Sequence, residues 1–121
     1  MEIELQDFIQ SSFKSVWALE LLLFLKRHGD APWATDDLVR EMRGSEPVVM
    51  QSVETLQAAG LVARDADGRV LFAPASPGLR DLAEAAETAY IEKPTAVRRI
   101  ILAAPNEKLH TLADAFRLRK D

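Results

Sequence analysis

Ser52-Val53-Glu54-Thr55-Leu56-Gln57-Ala58-Ala59-Gly60-Leu61-Val62-Ala63-Arg64-Asp65-Ala66-Asp67-Gly68-Arg69-Val70-Leu71-Phe72 decides the fold. Its first half has helical spacing: Val49, Val53 and Leu56 recur at i, i+4 and i+7, and Gly60 stops the run. Its second half switches to strands. Leu61 to Arg64 and Arg69 to Phe72 flank Asp65-Ala66-Asp67-Gly68, whose Asp-Gly step is a hairpin-turn signal. Pro74 and Pro77 close the hairpin.

Upstream of this stretch, Ser45 is placed to cap the helix, with Pro47 in its first turn, where a missing N–H costs nothing. Before it, Thr35 is expected to cap a short helix with Asp36 and Asp37 at its positive end. Leu38, Val39 and Met42 form the buried side of that helix, and Gly44 is its expected stop. Two short helices joined by a tight glycine-containing turn form a helix-turn-helix layout. Asp30 to Ala34 reads as a turn. From Ser15, a candidate cap, to His28 runs a strongly apolar helix, with Gly29 just past its end. Trp17, Leu21, Phe24, Leu25 and His28 share one face, while Leu19, Leu22 and Leu23 fill much of the rest. A helix apolar nearly all round has to be covered on both sides. One side belongs to the core, and the other requires further helices or a second subunit. Leu5, Phe8, Ile9 and Phe13 mark an additional N-terminal helix or an extension of this one. Leu21, Phe24, Leu56 and Leu61 are expected in the core.

Downstream, Leu79, Leu82, Ala83, Ala86 and Tyr90 mark an amphipathic helix that stops before Pro94. Val97, Ile100 and Ile101 suggest a short helix. Asn106 is placed to cap a last one carrying Leu109, Leu112, Ala113 and Phe116. The expected division is 1–78, the helix-turn-helix and hairpin domain with an N-terminal helical extension, and 79–121, a C-terminal helical packing or dimerisation segment.

The order helix, helix, helix, hairpin, together with the run from Ser52 to Arg64 and Asp67-Gly68-Arg69-Val70, resembles the winged-helix superfamily in the manner of MarR-like bacterial regulators. The resemblance covers roughly Ser15 to Pro74. It implies a mainly α winged helix-turn-helix: a three-helix core plus a two-stranded β wing, here with extra helices at both ends. It further implies that the helix from Glu46 to Ala59 is the recognition helix, that Asp65 to Gly68 tips the wing, and that the protein is a homodimeric DNA-binding transcriptional regulator. The residues depart from that pattern. The outward positions of the recognition helix are Glu46, Pro47, Met50, Gln51, Glu54 and Gln57; none is basic and two are acidic. Guanine is read by Arg or Lys, and phosphates are met by cations or polar donors. The DNA-facing candidates are therefore Arg40 and Arg43 before the helix, Gln51 on it, and Arg64 and Arg69 in the wing. The alternative is a winged-helix protein–protein interaction module that does not bind DNA, with Glu46, Met50 and Glu54 as partner contacts.

Charge is unevenly distributed along the chain. The net charge is −4, which disfavours non-specific nucleic-acid binding. Up to Glu92 there are 16 acidic and 8 basic residues; from Lys93 onward there are 7 basic and 3 acidic. The basic tail, including Arg98, Arg99, Lys108, Arg117, Arg119 and Lys120, is either a solvated helix face or a surface for an acidic partner, a second copy's acidic body or nucleic acid.

Catalysis finds no support. With no cysteine, disulfides, zinc-thiolate sites and thiol chemistry are excluded. His28 and His110 have no companions at metal-ligand spacing. Asp36 and Asp37 are adjacent, so a helix points them apart. No serine lies in a G-x-S-x-G context, and no phosphate-binding glycine loop is present. A non-enzyme without cofactor is expected. The acidic N-terminus and the shortness of the longest apolar run, Leu21 to Leu25, lead to the expectation of a cytoplasmic protein without a membrane partner.

Overall fold

A computed structural model describes residues 1–29 and 31–103. They form α1 (Ile3–Ser12), α2 (Val16–Arg27), α3 (Thr35–Met42), α4 (Glu46–Ala58), β1 (Val62–Arg64), β2 (Val70–Phe72) and α5 (Pro77–Glu92). A sixth helix, α6, covers 94–103 after a break at Lys93. The protein is mainly helical, with one small antiparallel sheet in which Val62, Ala63 and Arg64 face Phe72, Leu71 and Val70. The expected helix carrying Leu109, Leu112, Ala113 and Phe116 lies outside the described residues.

Local chemistry sets the helix boundaries. The hydroxyls of Ser15, Ser45 and Ser76 accept the N–H groups of Ala18, Val48 and Leu79, each three residues on. Lys26 and Arg27 stand at the negative end of α2. Thr35 does not cap α3: it is the first helical residue, and Ala34 precedes it without a side-chain bond. The segment before α3 is more than a turn. Trp33 N–H donates to the Val70 carbonyl at 2.7 Å, and Val70 N–H donates back at 2.8 Å. This bridge lays the α2–α3 connection along the free edge of β2, an edge that would otherwise leave buried backbone groups unpaired.

α2 is the centre of the molecule. Ala18, Leu19, Leu21, Leu22, Leu23 and Leu25 are all buried. α4 and β2 pack on one side of it. α5 lies along it, tied by Lys26–Glu87 and Glu20–Tyr90 contacts. α1 packs on α5 and meets α2 at a bend of 101°. The covering that the apolar α2 demands is thus supplied within one chain. Phe8, Ile9 and Phe13 from the N-terminal side, Leu56 and Leu61 from the middle, and Ala83, Ala86, Val97 and Ile101 from α5 and α6 join a single core. Leu21, Leu56 and Leu61 are fully buried as expected. Phe24 is not: it is half-buried and stacks edge-on against Trp33, its centroid 4.8 Å away, beside His28. No single helix is long and apolar enough to cross a membrane.

Candidate functional site

The outward face of α4 and the adjoining β1–β2 hairpin make up the candidate surface. α4 starts at the Ser45 cap with Pro47 in its first turn and turns Val49, Ser52, Val53 and Leu56 inward. It ends in a paired closure. Leu61 N–H reaches the Leu56 carbonyl, and Gly60 N–H reaches that of Gln57, both at 3.0 Å. This needs a left-handed residue at Gly60 (φ +77°), which only glycine adopts cheaply. The chain then enters β1 in a fixed direction, which sets the hairpin beside α4.

Glu46, Pro47, Met50, Gln51, Glu54 and Gln57 all point to solvent. Val48 joins them. Val48 (42 % exposed) and Met50 (38 %) are two of the large apolar side chains left open. Val48 escapes the sequence reading because one helical turn below the cap it lies at the edge of the inward stripe, and periodicity alone does not say which edge is covered. α4 contains no cation. Its exposed surface is therefore apolar and acidic.

Three of the four cations around it, Arg40, Arg64 and Arg69, are engaged. Arg69 Nε donates to Asp65 Oδ2 at 3.0 Å, and its Nη2 to Asp67 Oδ2 at 3.3 Å. Asp65 Oδ1 also accepts the N–H groups of Arg69 and Asp67, each at 2.9 Å. The Arg69 N–H, with help from the Asp67 N–H and the Arg69 charge, lowers the Asp65 pKa below its ordinary value despite some desolvation. Arg64 donates to Gln57 Oε1 and to the Gly68 carbonyl, both at 3.3 Å. Arg40 pairs with Asp37. Arg43 follows α3 in the left-handed region (φ 54°) and is exposed. Gly44 is not the left-handed residue here. It is required because Trp17 lies against it: a Cβ would come within 2.5 Å of the indole Cζ2.

The structure thus gathers Gln51, Glu46, Met50 and Glu54 on one helix face, and Arg64 and Arg69 on the hairpin. Arg40 and Arg43 stand at the end of α3, ahead of α4. A second polar cluster lies away from this surface. Tyr90 Oη donates to Glu20 Oε2 at 2.8 Å and accepts from Arg98 Nη2 at 3.4 Å, with the Arg98 guanidinium over the ring. It joins α2, α5 and α6, and its members are too far apart in sequence for spacing to reveal them. Among the described residues no group of three His, Cys, Asp or Glu is arranged to hold a metal. An open hollow on α6, lined by Thr95, Arg98, Arg99, Leu102 and Ala103, presents two guanidiniums and no carboxylate.

The chain matches no protein-family model, no curated protein and no solved structure.

Proposed function

We propose that the chain is a winged-helix module, with α2, α3 and α4 as its three-helix core and β1–β2 as its wing, and that it works by binding protein through the outward face of α4. It is not an enzyme and needs no cofactor. The observation that carries the reading is the composition of that face: Val48 and Met50 exposed between Glu46 and Glu54, with no cation on the helix. An anionic phosphate backbone placed against this helix would meet two like charges and no compensating ion. A protein surface gains from burying the apolar pair and from pairing cations with the glutamates. The order of the elements, the tight α3–α4 connection and the Trp33–Val70 bridge support the winged-helix assignment.

The deciding experiment is titration with mixed genomic DNA fragments at low salt. No binding is expected. Glu46→Gln with Glu54→Gln relieves the repulsion and should raise any residual non-specific affinity. Clear binding by the unaltered protein overturns the interaction reading.

It would favour the second reading, a DNA-binding transcriptional regulator, for which the clustering of Arg64 and Arg69 on the hairpin speaks. There, Arg64→Ala with Arg69→Ala removes two phosphate contacts and flattens the slope of log affinity against log salt by about 2.

A further inference from the structure

We propose that the partner of the α4 face is the C-terminal segment of a second copy of this chain, so that two chains exchange their basic tails and form a symmetric dimer. This rests on α4 being a protein-docking face, and it names the occupant.

Two observations carry it. The first is chemical complementarity. The α4 face offers an apolar pair, Val48 and Met50, flanked by Glu46 and Glu54. Beyond the described residues the chain continues for 18 more, with apolar residues at helical spacing, Leu109, Leu112 and Phe116, and with Lys108, Arg117, Arg119 and Lys120. The closing stretch Phe116-Arg117-Leu118-Arg119-Lys120 alternates apolar and cationic side chains. It is the converse of what α4 presents.

The second observation is the charge of the whole chain. The portion up to Ala103 carries a net −5 and the 18 residues after it a net +1, with three of their four cations, Arg117, Arg119 and Lys120, within four positions. Two copies related by a two-fold axis place each cationic segment on the other's acidic body. Side-by-side association of the bodies would oppose like charges. A contact in which segment meets face in one direction, and face meets segment in the other, closes under two-fold symmetry and leaves no open end for further copies. It also needs no cover for α2, whose apolar surface is already enclosed within the chain.

Charge swapping tests this with the full-length chain, read by light scattering at micromolar concentration. The unaltered protein should show twice the mass of one chain, falling towards one chain's mass as salt rises and screening shortens. Glu46→Lys with Glu54→Lys places like charge against the tail, and the protein should become monomeric. Arg117→Glu with Arg119→Glu should do the same. Each altered protein alone has two repelling contacts. An equimolar mixture has two attracting ones, so it should return to the dimer mass, as should a chain carrying all four changes.

Recovery in the mixture also shows that both altered proteins are folded. A monomeric unaltered chain throughout the range overturns the proposal. So does a dimer that survives both reversals, or a mixture that stays monomeric. Each of those outcomes leaves the protein-binding reading of α4 standing, because that reading fails only on DNA binding.

Discussion

Gly44 shows how one side chain's position dictates another's identity. The turn between α3 and α4 passes so close to Trp17 that no Cβ fits. Gly44→Ala should cost about 1–3 kcal/mol, as overpacking does elsewhere. In a Trp17→Leu background the same change should cost less, because the ring it strikes is gone. Urea unfolding of the four proteins in this cycle measures the coupling, and equal costs in both backgrounds would refute the contact. Glu87 makes a different residue-scale case. Its carboxylate meets Lys26 Nζ at 2.8 Å and Arg27 Nε at 3.3 Å. The Lys26 hydrogen bond, reinforced by both charges and opposed by burial, lowers its pKa from the ordinary 4.5. A carboxylate with a lowered folded-state pKa adds stability that is complete above its unfolded pKa and is lost as pH falls through the folded value. Glu87→Gln should therefore melt below the unaltered protein at neutral pH, by about 1 kcal/mol or less for a pair near the surface. The gap should begin to narrow as pH falls past the unfolded value of about 4.3 and close below the lowered folded value. A gap independent of pH would mean the charge is not what matters.

At the scale of the element, α4 has two sides with opposite duties. The inner side is core: Val49, Val53 and Leu56 have no exposed surface. Leu56→Ala should cost about 2–5 kcal/mol by lost transfer energy and a cavity. A loss under about 0.5 kcal/mol, the scale of surface changes, would show that the helix is turned the wrong way. The apolar period was enough to place this side, since a helix repeats every 3.6 residues whatever it packs on. The caps at Ser15 and Ser45 were equally legible, because a hydroxyl and an N–H three residues apart form a local bond. The end of α3 was not. Gly44 reads as the left-handed stop, but Arg43 takes that conformation and Gly44 serves Trp17, which is 27 positions away in the chain. Thr35 failed as a cap for a similar reason: the bridge from Trp33 to Val70 fixes the backbone that enters α3, and the helix starts one residue earlier than the hydroxyl suggests.

For the whole molecule, one core runs from Phe8 to Ile101 and crosses the expected division between residues 78 and 79. Elements that share a core unfold together. Far-UV circular dichroism, which follows all six described helices, and the fluorescence of Trp17 and Trp33 should report a single urea transition with one midpoint. Separate midpoints would mean that α5 and α6 melt independently of the α2–α4 body. The polar ties between α2 and α5, Lys26–Glu87 and Glu20–Tyr90, reinforce that unity at the surface.

The element order, the hairpin after Gly60, most of the core and the acidic, cation-free character of α4 were legible in the residues alone. These depend on periodicity, on turn chemistry and on counting charges, all of which act over a few residues. The residues also required that α2 be covered all round, but left open by what. It took the packing of the whole chain to show that α1, α5 and α6 join α2 in one core, and that Trp33 lies along β2. The same packing decided that Phe24 stops half-buried against Trp33, and that Arg40 and Arg69 are paired with carboxylates of their own chain. Each of these joins residues whose neighbourhood is set by how helices pack and strands pair, and no short-range pattern carries that information.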